Sequence, residues 1–253
     1  MATTTSITTS YAGEKAQGFI AAALLSAPTI DKGGITVKPN IKFKQVMQKL
    51  AVGDIVADAS CDFTATSSVT LTERYLEVKD FQVNLELCKK DFESDWLSIE
   101  QGFSSFDELP KSFANYLIGH VAGKVAANVE NNIWNGTGAG KFDGLVNLMG
   151  ADADVNDVAF TGATTAANII SRLGDVVDAI PETIYGNEGL AIYISQADAR
   201  SYVRAQAALG YMDAWHAGVT EANFEGTKLI LAPGMSADKM VAARKSNLFF
   251  ATD

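Results

Sequence analysis

Hydrophobic and polar positions change their period several times along this chain, and each change predicts a different kind of element. Residues 1–10 are rich in Thr and Ser without apolar periodicity, Ala16 to Leu25 fits a short helix stopped before Pro28, and the first 30 residues together suit an arm. From Asp31 the period becomes two. Ile35 and Val37 alternate with polar neighbours, Pro39-Asn40 interrupts, and Ile41 and Phe43 resume. A helical turn fits Gln45 to Leu50, after which an extended pattern returns at Val69 and Leu71 and continues through Leu76, Val78, Phe81, Val83, Leu85 and Leu87. Residues 31–80 are therefore expected to form a long hairpin, apolar on one face and carrying Lys38, Lys42, Lys44, Glu73 and Arg74 on the other. A two-stranded ribbon is marginal alone in water, so it must lie on its own core or on a second subunit.

The next pattern has a period near four. Gly102 to Asp107 is loop-like, Pro110 suits a first helical turn because its missing N–H has no intrahelical partner there, and Phe113, Leu117, Val121, Val125, Val129 and Ile133 then form one stripe. A helix from Ser112 to Trp134, the longest in the chain, is expected to pack this stripe on a sheet. At 1.5 Å rise per residue it is a rod of about 36 Å.

The rod ends in Asn135-Gly-Thr-Gly-Ala-Gly-Lys-Phe-Asp-Gly-Leu145. Two phosphate-binding readings of this stretch fail on position. A Walker A loop would need Gly at Asn135 and Ser or Thr at Phe142, and a dinucleotide fingerprint should open a helix after a strand, whereas these glycines follow a helix. The expectation is structural: Gly136 as a left-handed helix cap, with Gly138 and Gly140 forming a tight turn.

Residues 151–162 are polar, small and acidic, as in a surface loop. Helix and strand patterns then alternate. Ile169, Ile170, Leu173, Val176, Val177 and Ile180 make a helix face ended by Pro181, Leu190 to Ile194 a short buried strand, Ala197 to Leu209 a helix, and Lys228 to Ala232 a strand. Met240–Ala243 and Leu248–Ala251 are expected to pair around Arg244–Asn247. The result is a mixed domain with a central sheet.

Composition narrows the function classes. With 253 residues, 47% hydrophobic, the chain can bury a sizeable core, and its net charge of −10 weighs against a groove that grips phosphates. Cys61 and Cys88 are the only cysteines, which favours a reduced, cytoplasmic setting; spacing alone does not say whether they reach bridging distance. Phe19 to Leu25 lacks a preceding basic region and is too short for a bilayer, so neither a secretion signal nor a membrane span is expected. His120 has Tyr116 and Lys124 four residues away, where a metal-binding pair would need a second ligand, and His216 has no nucleophile motif near it. No catalytic, cofactor or metal residue is assigned.

The capped helix leading into N-G-T-G-x-G-x-x-x-G-L, together with Ile192-Tyr-Ile-Ser195 followed by a helix, resembles the major capsid proteins of tailed bacteriophages with the Hong Kong 97-type fold. The order of elements carries more of the resemblance than either motif and runs over nearly the whole chain. It implies an α+β fold: an N-terminal arm (1–30), an extended hairpin loop (31–80) reaching over a neighbouring subunit through Ile35, Val37, Ile41 and Phe43, a peripheral domain (81–150) whose spine helix has a core of Leu117, Val121, Val125 and Val129, and an α/β axial domain (151–253). Members of that family usually continue past the position of Asp253, returning a strand to the peripheral domain, so either the sequence stops short of that strand or the sheet is completed otherwise. The implied function is a structural subunit, assembled in the host cytoplasm into hexamers and pentamers of an icosahedral virion shell. Its partners would be copies of itself, double-stranded DNA held by containment, and portal, scaffold or decoration proteins, with no cofactor and no membrane. A cellular nanocompartment shell of the same fold differs only in its contents, and an α/β enzyme is a third class lacking any recognised nucleophile elbow, metal cluster or phosphate loop.

Overall fold

The computed structural model describes residues 27–32, 34–56, 58, 65, 67–83, 111–138, 141–210 and 222–252, with the side chains of the long helix from Ile118 onward. Helix α1 (Pro28–Asp31) is followed by strands β1 (Thr36–Lys38), β2 (Lys44–Val52) and β3 (Val69–Glu77), then helices α2 (Lys111–Asn135), α3 (Leu145–Gly150) and α4 (Ile169–Asp178). Strand β4 (Leu190–Ile194), helix α5 (Gln196–Ala208) and strands β5 (Ala222–Phe224), β6 (Thr227–Leu231), β7 (Met240–Arg244) and β8 (Phe249–Ala251) complete the order. The expectations for Ala16–Leu25, Leu85, Leu87, Gly102–Asp107, Pro110, Gly140, His216 and both cysteines, and for the side chains of Phe113 and Leu117, lie outside the described residues.

The chain divides into two compact units, one of residues 1–35 with 81–248 and one of 36–80 with 249–253. The core of the first is a four-stranded sheet in the order β5-β6-β4-β7, with β4 parallel to β6 and the other neighbours antiparallel. β4 is central because Leu190-Ala-Ile-Tyr-Ile194 is apolar throughout, and a strand covered on both faces needs no polar alternation. Ile192 and Ile194 face a cluster built from Ile169, Leu173, Val176 and Val177 of α4 and Ala199, Tyr202 and Ala205 of α5. Tyr193 points the other way, its ring 5.2 Å from that of Trp134 and its hydroxyl donating to the Gly34 carbonyl. Burial pushes this phenol up to about 12, so it stays a donor.

Helix α2 is the longest among the described residues. Its stripe is buried by degrees: Val121 and Val125 are half-buried, whereas Val129, Ile133 and Trp134 are buried, and α3 packs against it. Among the described side chains of the rod, those of the C-terminal turns are seated in the core of their own chain.

The second unit departs from expectation in three ways. The hairpin is β2 with β3, in register from Lys44↔Glu77 to Val52↔Val69, so Gln45–Leu50 is strand where a helical turn was expected. Nine consecutive cross-strand pairs outweigh the weak helical pattern of those six residues. The 31–43 part of the expected ribbon is not in the hairpin. Instead β1 pairs in parallel with β8, Thr36↔Phe249 to Lys38↔Ala251, extended by hydrogen bonds of Ile41 and Thr252. β7 and β8 therefore do not pair with each other: β7 closes the edge of β4, and a 3₁₀ turn at Lys245–Asn247 sends the chain on to β1. That turn carries the chain from the first unit into the second, which holds residues 249–253.

Candidate functional site: the end of the long helix

A buried polar cluster in the first unit surrounds Glu130, which is 3% exposed one turn before the end of α2. Its helical neighbours at i±3 and i±4 are Ala126, Ala127, Ile133 and Trp134, so no cation on the helix can pair with it. Donors arrive from elsewhere. The Thr29 N–H donates to one carboxylate oxygen at 2.9 Å, the Thr29 hydroxyl donates to the other, and the Gly234 N–H approaches that same oxygen at 3.4 Å. Trp134 Nε1 donates to Thr29 Oγ1 at 3.1 Å, which fixes the direction of the hydroxyl proton toward Glu130. A buried carboxylate at the negative end of a helix dipole is tolerated because these donors replace water.

Glycines let the backbone close on this helix end. A Cβ on Gly234 would stand 2.5 Å from the Glu130 carbonyl carbon, and one on Gly144 would stand 2.5 Å from the Trp134 carbonyl oxygen. Asn135 ties the same loop down: its Nδ2 donates to the Gly234 carbonyl and to Asn131 Oδ1, and its Oδ1 accepts from Ser236 Oγ at 3.0 Å.

Gly136 corrects one expectation. It is not left-handed; Gly138 is, with φ of 77°. Gly136 is needed for closeness instead, since a Cβ there would stand 2.7 Å from the Asn132 carbonyl oxygen and closer still to that of Phe142. Its N–H donates to Asn132 at 3.0 Å and its carbonyl accepts from Gly144 at 2.9 Å, while Thr137 and Asp143 form an antiparallel bridge. The Gly136 and Gly144 amides are thus engaged by backbone carbonyls, and Lys141 is exposed.

A second cluster holds the start of α5. Ser195 Oγ accepts from the Asp198 N–H at 3.1 Å, the N-cap bond of α5, and donates to Asp198 Oδ2 at 2.8 Å. Asp198 is 1% exposed, and that burial raises its carboxyl above the usual range against the lowering effect of Ser195. Asp238, at φ 65°, donates its N–H to Asp198, and its own carboxylate accepts from the Thr164 N–H, which holds that carboxyl below the usual range. Arg172 lies 3.9 Å from Asp238 and donates to the Thr161 and Gly162 carbonyls and to Thr164 Oγ1. These bonds pin the 160–165 loop.

The residues expected to meet a neighbouring subunit separate. Ile35 and Ile41 are buried, Val37 is half-buried on β1, and only Phe43 stands clear at 75% exposure. Strand alternation puts Val46, Leu50 and Val52 of β2 on one face of the hairpin with Tyr75, Leu71 and Val69 of β3, paired directly across, and all six are exposed. His120 is exposed on α2. Among the described residues no group of three His, Cys, Asp or Glu is placed to hold a metal ion, and no helix is long and apolar enough to cross a membrane. Glu130 and Trp134 were legible as oddities, an acid and an indole N–H on an apolar helix end, but nothing local to Thr29 or Gly234 marks them as partners.

A helix end locked by glycine contacts beside a four-stranded mixed sheet, with a separate hairpin, makes an α+β fold. The chain is similar to the solved structure described as the capsid of a native GTA particle computed with C5 symmetry, with 17% identity over 85% of this chain and 72% of that one and a TM-score of 0.55. It is also similar to a structure from Mycobacterium phage Che8, at 15% identity over 81% of this chain and 70% of that one, with a TM-score of 0.42. None of the curated proteins matches. The model of the phage capsid family matches residues 107–251, more than half of the sequence, and the chain belongs to that family. It is a structural protein of a bacteriophage capsid, a shell built from many subunits.

Three outcomes test the site. Glu130→Ala leaves the Thr29 and Gly234 amides without their acceptor and should lower unfolding free energy by about 2 kcal/mol or more in a denaturant titration; an unchanged midpoint would show that water replaces the carboxylate. Gly136→Ala should destabilise by a similar amount, on the order of 1–3 kcal/mol, through backbone overlap, while Lys141→Ala leaves stability and assembly as they were. Saturable ATP binding lost in Lys141→Ala would reverse that assignment. For pH, Asp238 is depressed below its ordinary 3.8 in the folded chain, so its contribution is present above that value and is lost as pH falls through the folded one. The melting temperature of the wild type should exceed that of Asp238→Asn at pH 6, and the gap should close on acidification below 3.8. A gap constant down to pH 2 would refute the assignment.

Proposed function

We propose that this chain is the major subunit of a tailed-phage head of Hong Kong 97 type, assembling in the host cytoplasm into hexamers and pentamers of an icosahedral shell that encloses double-stranded DNA. In this reading residues 1–30 are the arm, the 31–80 region carries the extended loop, α2 is the spine helix of the peripheral region, and the α/β sheet is the axial region. DNA is contained rather than gripped, in keeping with a net charge of −10.

The observation that carries the reading, beyond family membership, is the open apolar face of the β2–β3 hairpin. Val46, Leu50, Val52, Val69, Leu71 and Tyr75 are each at least 43% exposed, on a ribbon of nine pairs that has no third strand in its sheet among the described residues. Burying a side chain of this kind is worth about 1.5–3 kcal/mol, and an interface stable enough for a shell needs roughly 1,500 Å². A neighbouring copy is the surface that repeats often enough to cover every such hairpin. Contact of one copy's hairpin with a different surface on the next is heterologous, and such contacts close into rings when the rotation permits. Phe43 adds an exposed aromatic ring just before β2, while Ile35 and Ile41 are buried and Val37 half-buried in their own chain.

Leu50→Lys with Leu71→Lys tests this without touching either core. The variant should keep the wild-type melting profile of the unassembled subunit yet sediment as free subunits, where the wild type forms closed particles visible in negative stain. Particles of normal size from the double variant would remove the hairpin face from the assembly contact.

A further inference from the structure

Asn135-Gly136 is the single Asn-Gly pair in the sequence, and it lies where α2 ends against the 232–236 loop. Glycine places no Cβ beside its own backbone nitrogen, so in a mobile Asn-Gly pair that nitrogen can attack the asparagine side-chain carbonyl carbon. The bond formed joins Gly136 N to Asn135 Cγ, and the bond broken joins Cγ to Nδ2. The displaced nitrogen leaves as ammonia, taking up the amide proton, and water then opens the cyclic imide to aspartate or isoaspartate. Water is the only co-reactant.

The folded chain withholds every requirement of that reaction. Asn135 is helical, which directs the next nitrogen along the helix axis and away from its own side chain. Gly136 is buried, and its N–H is committed to the Asn132 carbonyl at 3.0 Å. The side-chain amide is held at both ends, by Asn131 and the Gly234 carbonyl on nitrogen and by Ser236 on oxygen. We propose that Asn135 is a conformation-gated deamidation site: the modification takes place only in chains whose helix end is undocked, and the product does not dock again. An aspartate at 135 sets a carboxylate oxygen against the Gly234 carbonyl where the amide now donates, and an isoaspartate adds a backbone carbon to the last helical residue. The site would thus mark chains that stayed unfolded long enough to react, and exclude them from the docked arrangement around Glu130.

The test uses the full chain at mildly alkaline pH, folded in buffer and unfolded in urea, following by peptide mass spectrometry the replacement of NH2 by OH at position 135. The folded rate should be lower on the order of a hundredfold, because the reaction then proceeds only through the open fraction of the helix end. Asn135→Asp, made directly, should melt lower than the wild type or fail to accumulate as folded protein. Equal rates in buffer and urea, no reaction at 135 in urea, or an Asn135→Asp variant with the wild-type melting temperature would each overturn the proposal.

Discussion

One buried carboxylate organises much of the larger unit. Glu130 sits at the unfavourable end of a 25-residue helix, with no cation among the described residues to neutralise it, and it can be accommodated only where hydrogen-bond donors replace its water. Those donors belong to Thr29 and Gly234, each about a hundred residues away in sequence. The same requirement therefore fixes where the chain enters from its N-terminal segment and where the loop after β6 turns. Dispersion and burial hold Ile133 and Trp134 in place, but they are tolerant of small shifts, whereas a carboxylate with two oxygens and directional donors is not.

Around that point the close backbone approaches make sense together. Gly136, Gly144 and Gly234 each face a backbone atom of the helix end or of one another, at separations that no side chain could enter. Tyr193 then carries the arrangement into the sheet, packing on Trp134 and donating to Gly34, while the other face of β4 meets α4 and α5. A subunit of a shell must resist load without rearranging, and this helix end joins the rod, the sheet and the N-terminal entry by short, saturated contacts. The half-buried Val121 and Val125 belong to the opposite regime, a part of the rod that its own chain leaves partly open.

The hairpin unit follows a different logic. Its strands bond each other along their inner edges, and their side chains leave an apolar face exposed, with Lys44 set over the Tyr75 ring at 3.8 Å and Gln48 bonded to Glu73 between the apolar rows. Polar residues between apolar rows keep such a ribbon soluble while it waits for a partner and give the contact a register once it forms. On the proposed function this separates two tasks: one unit is stable through its own core, and the other is completed by association.

The sequence by itself determined the elements whose periodicity is long or uninterrupted. The four-residue stripe from Leu117 to Ile133 specifies α2 because only a helix returns those positions to one side, and the apolar run Leu190–Ile194 specifies a doubly covered strand. The helical pattern expected over Ala197 to Leu209 is α5, whose Ser195 cap is a local bond. Tertiary structure decided everything that depends on a partner far along the chain. Ile35, Ile41 and Phe43 share one pattern on paper, yet β8 recruits the first part of that stretch into a parallel ladder and leaves Phe43 outside it. Gln45–Leu50 became strand through its pairing with residues 71–76, and Gly136 is required for the nearness of Phe142 and Asn132 rather than for a left-handed turn. Periodicity reports which face of an element is apolar; which surface covers that face is settled by contacts between residues that the sequence keeps a hundred positions apart.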